Sequence, residues 1–124
     1  MSESIRVMVA DDNPDVLMAV ADLITEFGGV DVVSLTTTVE DTVRSAAWHK
    51  PKVAFVDAWL KGGGAEAVAE RIRRVSPGTQ VVALASARDV ELVLRLRAVG
   101  AAGCYDKETL SAVLPEILAA ASAR

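Results

Sequence analysis

Apolar residues gather in five short runs, at 5–10, 30–35, 53–57, 80–85 and 102–106, and between the runs they recur every three or four positions. Short apolar runs read as strands, and recurrence at 3.6 residues reads as amphipathic helix. The pattern therefore predicts five strand-then-helix repeats, a (βα)5 α/β chain with one parallel sheet and helices on both of its faces. The run Val53-Ala54-Phe55-Val56-Asp57 is the most informative. Four consecutive apolar residues predict a strand buried on both faces, and that strand delivers one carboxylate at its end.

Local signals set the boundaries. Asn13-Pro14 offers a helix cap and a proline at the first helical position, and Val16, Leu17, Val20, Leu23, Ile24 and Phe27 carry that helix to Gly28-Gly29. A second helix is expected over 39–48, with His49 at its end and Pro51 closing it. Gly62-Gly63-Gly64 predicts a mobile loop after the central strand, and it lacks the Lys-Ser/Thr that a nucleotide P-loop requires. A third helix over 65–75 stops at Ser76-Pro77-Gly78.

The fourth helix, expected over 88–99, carries two apolar stripes: Val90, Val93, Leu94 and Ala98 on one side, Leu92, Leu96 and Val99 on the other. One stripe can face the sheet; the other predicts a surface for a partner or a second copy. In the last helix, expected over 109–122, Pro115 removes a backbone bond at a cost of ~3 kcal/mol, which predicts a kink or a late start.

Composition narrows the field. At 124 residues the chain is expected to form one domain, 1–124, able to bury about two-thirds of its surface without staples. The single cysteine, Cys104, excludes an intramolecular disulfide and any multi-cysteine metal site, and one histidine leaves little room for zinc or triad chemistry. A formal charge of -4 argues against holding nucleic acid through a general basic surface. Met1-Ser2-Glu3-Ser4 has no basic leader character and no apolar run approaches a membrane span, so a cytoplasmic location is expected.

The candidate chemistry lies at the strand ends. Asp11 and Asp12 follow the first strand, Asp57 the third, Ser86 the fourth and Lys107 the fifth. In a doubly wound sheet of flavodoxin-like order 2-1-3-4-5 these carboxyl ends share one edge, and ligands bind where the strand order reverses, between strands one and three. Three carboxylates brought together repel one another, and a hard divalent cation with oxygen ligands is the simplest remedy. Mg2+ suits Asp12 and Asp57 directly and Asp11 through water, with the Trp59 backbone carbonyl available to complete the shell. A phosphoryl group reaching Asp57 would have its oxygens neutralised by the metal and by Lys107, and Ser86 could donate a hydrogen bond to a third oxygen.

Asp11-Asp12, Asp57, Ser86-Ala87 and Lys107, in this order on this strand–helix alternation, resemble the receiver domain of bacterial two-component response regulators across essentially the whole chain. The resemblance implies that Asp57 is the phosphoacceptor, that Asp11, Asp12 and Asp57 hold Mg2+, that Ser86 is the switch hydroxyl and that Lys107 contacts the phosphoryl group. It implies a histidine kinase or a histidine phosphotransfer protein as donor. It also implies that the chain is no general enzyme, promoting only its own phosphorylation and dephosphorylation. The output surface would be that of the fourth helix, fifth strand and fifth helix, serving a homodimer or an output partner.

The chain departs from that family at three places. Lys61 stands where a proline usually follows the acceptor, Glu108 where a proline often follows the lysine, and Cys104 where the family's switch aromatic normally lies. Tyr105 is one position late, and a one-residue shift in a strand turns the side chain to the opposite face. These departures motivate a second reading, a receiver-like interaction module that acts without phosphorylation. A third, an Mg2+-dependent phosphatase, is disfavoured because no second acid/base aspartate follows Asp57 at short spacing.

Overall fold

The computed structural model describes residues 4–85 and 88–123, so Ser86 and Ala87 lie outside the described residues. Its elements run β1 (Ile5–Ala10), α1 (Pro14–Phe27), β2 (Val30–Thr36), α2 (Val39–His49), β3 (Val53–Asp57), α3 (Gly64–Val75), β4 (Gln80–Leu84), α4 (Val90–Ala98), β5 (Gly103–Tyr105), a 3-10 turn (Lys107–Thr109) and α5 (Leu110–Ser122). The strands form one parallel sheet in the order β2-β1-β3-β4-β5, as the sequence predicts.

Because strand side chains alternate, β1, β3 and β4 feed two apolar layers. Met8, Ala10, Ala54, Val56, Val81 and Ala83 pack with α2, α3 and α4. Val7, Val9, Val53, Phe55, Val82 and Leu84 pack with α1 and α5. Every residue of β3 is buried, so its expected burial on both faces holds. Full burial of each large apolar side chain contributes about 1.5–3 kcal/mol before chain entropy is counted.

The caps behave as their chemistry requires. Asn13 accepts hydrogen bonds from the backbone N–H of Asp15 and Val16 and so fixes the start of α1 directly after the acidic pair. Thr38 accepts from Asp41 N–H at the start of α2. The carbonyl of His49 accepts from Arg6 Nη1 at 2.6 Å, which ties the end of α2 to β1.

Several boundaries differ from those the sequence predicts. β4 ends at Leu84 and β5 is confined to Gly103–Tyr105. The fourth helix begins at Val90 because Asp89 takes the cap position and accepts from Leu92 N–H. The fifth begins at Leu110, after the 3-10 turn, and α-helix then runs through Pro115. Pro115 is on the exposed side of α5, where water can take the carbonyl that its missing N–H leaves without a partner.

The triple glycine forms a defined turn where the sequence suggested a mobile loop. Gly62, Gly63 and Gly64 all have positive φ, and Gly64 approaches so closely that an added Cβ would stand 2.3 Å from the carbonyl oxygen of Ala58. Lys61 causes no break at the position where the family's proline would sit. The bond it makes uses its carbonyl, which accepts from Val39 N–H at 2.9 Å and links the turn to α2.

The fourth helix sorts its two stripes. Leu92 and Leu96 are buried in the α2–α3–α4 layer and Val99 packs against it, whereas Val90 and Leu94 remain 66% and 55% exposed. No helix among the described residues is long and apolar enough to cross a membrane.

Candidate functional site

The ends of β1, β3 and β5 meet at one edge because the parallel sheet places their carboxyl ends side by side. β1 sends out Asp11 and Asp12, β3 ends in Asp57, and the backbone after β5 turns at Lys107. Asp11 is buried, Asp12 exposed, and Asp57 is 9% exposed. One carboxylate oxygen from each of the three lies within 4.8 Å of the others.

Lys107 spans the group. Its Nζ donates to Asp11 Oδ2 at 2.8 Å and to Asp57 Oδ1 at 2.7 Å. Burial by itself would push the ammonium down, but the hydrogen bonds to Asp11 and Asp57 and the charges of those carboxylates outweigh it and hold Lys107 above the ordinary lysine range. The ammonium therefore persists in this site at neutral pH.

The remaining oxygens are also held. Asp11 Oδ1 accepts from Asn13 N–H at 2.9 Å, so the residue that caps α1 also orients the carboxylate. Asp57 Oδ2 accepts from the backbone N–H of Trp59 at 3.0 Å. The loop that supplies this donor is itself bonded back on the strand, with Leu60 N–H on the Asp57 carbonyl and Ala58 N–H on the Leu84 carbonyl.

A cavity of about 350 Å³ opens beside Asp57, lined by Trp59, Leu84, Ala85, Asp106, Lys107 and Glu108. It has room for a phosphoryl group against Asp57 and Lys107. Asp106 and Glu108 belong to this wall by virtue of flanking Lys107. In the sequence Glu108 stands out only as a missing proline and Asp106 not at all; adjacency to Lys107 is the signal that places both here.

Of the residues singled out in the sequence, Asp11, Asp12, Asp57, Trp59 and Lys107 come together here, and Ser86 falls outside the described residues. Trp59 donates its N–H to Asp57 Oδ2, a bond separate from the carbonyl expected to complete a metal shell. Cys104 and Tyr105 point to opposite layers as the strand alternation requires: Cys104 packs with α2, α3 and α4, Tyr105 with α1 and α5. Burial, with Asp106 and Asp89 nearby, pushes the Cys104 thiol up, so the neutral thiol is favoured over the thiolate.

Comparison with known proteins agrees with this architecture. The chain is 29% identical over 103 residues to response regulator GacA of Pseudomonas viridiflava, covering 83% of this chain and 48% of GacA, so it spans about half the length of that relative. It is 30% identical over 89 residues to the protein-glutamate methylesterase/protein-glutamine glutaminase of Haloarcula marismortui, covering 72% of this chain and 24% of that protein. The signal receiver domain of NarL from Mycobacterium tuberculosis superposes with a TM-score of 0.90 at 26% identity, over 99% of this chain and 100% of that one. The family model for the response regulator receiver domain matches residues 7–119. The chain therefore belongs to the response regulator receiver domain family, the signalling modules of two-component systems.

Proposed function

We propose that the chain is a phosphorylation-controlled switch, residues 1–124 acting as one receiver unit, in which Asp57 accepts a phosphoryl group from a histidine kinase or a histidine phosphotransfer protein. The observation that carries the reading is the Lys107 ammonium held between Asp11 and Asp57 at the edge of an open cavity. That arrangement presents a nucleophilic carboxylate and a fixed positive charge to the same incoming group.

The donor set fits Mg2+, since it consists of three hard carboxylates with ligand oxygens within 4.8 Å and includes an exposed member, Asp12, beside solvent. Asp12 and Asp57 would hold the ion directly and Asp11 through water, with the Trp59 carbonyl completing the shell. When bound, Mg2+ supplies neutralising charge to the phosphoryl oxygens.

The chain's own residues do the rest. A carboxylate oxygen of Asp57 forms the new P–O bond while the P–N bond of the phosphohistidine breaks, its electron pair returning to the imidazole. Lys107 lies on Asp57 Oδ1 beforehand, so only a short displacement brings its ammonium from the carboxylate to a phosphoryl oxygen. The Ser86 hydroxyl donates to another. Water later cleaves the acyl phosphate and regenerates Asp57, so the chain promotes only its own phosphorylation and dephosphorylation.

Modification then biases the loops after β3 and β4 and the α4-β5-α5 face, on which a second copy or an output partner docks. This unit works in the cytoplasm without direct nucleic-acid contact. The competing reading, an interaction module indifferent to phosphate, rests on Lys61, Cys104 and Glu108.

Incubation with Mg2+ and acetyl phosphate or phosphoramidate tests the proposal. Intact mass should rise by one phosphoryl group in the wild-type chain and in no measurable fraction of Asp57→Asn. A chain that never gains the group supports the phosphate-independent module, and sustained turnover of an unrelated phosphoester supports a phosphatase.

A further inference from the structure

We infer that the Trp59 side chain carries the state of Asp57 to α4, taking over the part that an aromatic on β5 would otherwise play; the inference rests on the phosphoacceptor reading of Asp57. The chain has five aromatic side chains, Phe27, Trp48, Phe55, Trp59 and Tyr105. Of these five residues, Trp59 is the one that borders both the cavity beside Asp57 and Lys107 and a second cavity, of about 320 Å³, that Leu92 and Arg95 of α4 also line.

Tyr105 borders a different cavity along α4, with Val93 and Leu96, but not the acceptor cavity, and its ring packs in the α1–α5 layer. Cys104, on the α4 side, is too small to bridge the two.

The connection from acceptor to ring is short. Trp59 N–H donates to Asp57 Oδ2, so converting that carboxylate to an acyl phosphate alters the acceptor to which the residue is anchored. The surrounding turn is tightly bonded, from Leu60 N–H to the Asp57 carbonyl, Gly64 N–H to the Leu60 carbonyl and Ala65 N–H to the Ala58 carbonyl. With Ala58 and Leu60 so held, the Trp59 N–H bond to Asp57 Oδ2 is the contact of this turn that phosphorylation alters directly. The residue is 63% exposed, so little packing within the chain opposes its reorientation.

The receiving end is equally adjustable. Across the second cavity the Arg95–Glu66 ion pair, 3.1 Å long and partly exposed, links α4 to α3. Pairs of that kind contribute little and are easily exchanged. An indole moving into the groove meets Arg95, for which its face is a favourable partner, and Leu92, which seats α4 on the core.

The test uses a Trp48→Phe background, in which Trp59 is the sole tryptophan. Acetyl phosphate and Mg2+ are added, intact mass gives the fraction phosphorylated, tryptophan emission reports the indole, and amide shifts over 90–98 report α4. The expected result is an emission change that tracks the adduct and an α4 response which, per phosphorylated molecule, falls at least about fivefold in Trp59→Leu and returns in Trp59→Phe. A loss of packing alone would not be rescued in this way.

An α4 response per adduct in Trp59→Leu equal to that of the parent overturns the inference, as does its loss in Tyr105→Leu with Trp59→Leu unaffected. Absence of any adduct in the parent overturns the phosphoacceptor reading itself, and the coupling with it.

Discussion

At the edge formed by β1, β3 and β5, Asp11, Asp57 and Lys107 hold one another at 2.7–2.8 Å, and backbone donors from Asn13 and Trp59 occupy the oxygens that remain. Along α4 the contacts are fewer: Leu92 and Leu96 seat the helix, one partly exposed ion pair ties it to α3, and Val90 and Leu94 face outward. The first region is over-determined, each group fixed from two sides. The second is held by fewer polar contacts, the arrangement that the proposed switch would use at an output surface. The departures from the family pattern follow the same division. Lys61 and Glu108 leave the acceptor region assembled, whereas Cys104 removes an aromatic from the path to α4.

The sharpest way to break this contrast is at the turn beside the acceptor. Gly64→Ala adds a Cβ 2.3 Å from the Ala58 carbonyl at a φ of +75°, so urea unfolding should show a loss of about 3 kcal/mol. A near-neutral result would mean that the β3–α3 turn is as adjustable as α4.

A paired substitution probes the other region. Leu92→Ala should cost about 2–3 kcal/mol, because the site is buried against Leu96 and the sheet, while Leu94→Ala should change stability by less than about 0.5 kcal/mol. Equal costs would show that both stripes of α4 are engaged in the fold, and would remove the basis for an output surface there.

The smallest effect concerns Lys107. Its proton is held more tightly in the folded chain than in the unfolded one, so its stabilising contribution is whole below the ordinary lysine value of 10.5 and is lost as pH rises through the higher folded value. Solvent screening keeps that contribution modest at a side chain one-third exposed. Urea midpoints collected from about pH 8 to about pH 11.5 should therefore fall more steeply for wild type than for Lys107→Met at the alkaline end. Parallel curves would mean that the bridge to Asp11 and Asp57 adds nothing to the fold.

Much of this was legible in the sequence because it depends on local signals. Asn13-Pro14 marks a helix start by its own chemistry, the β3 bounds follow from an unbroken apolar run, and the strand order 2-1-3-4-5 places the acidic pair beside Asp57. What was not legible depends on contacts distant in the chain. The two stripes of α4 have similar composition, and only docking on the sheet decides that Leu92 and Leu96 turn inward. Gly62 to Gly64 read as slack because glycine permits many conformations, whereas the close approach to Ala58 selects one of them. The Lys107–Asp11 bond joins residues at opposite ends of the sequence, and no spacing rule reports it. β2 also carries an irregularity opposite Val7 and Met8 that nothing in its alternation announces.

If the chemistry occurs at the end of β3, site mapping after borohydride reduction locates it there. Borohydride converts an acyl phosphate to an alcohol, so a chain phosphorylated with acetyl phosphate and Mg2+, reduced and digested should yield a peptide bearing homoserine at position 57 and no other modified residue. Reduction at a different carboxylate, or none in a sample whose mass shows the adduct, would contradict the account.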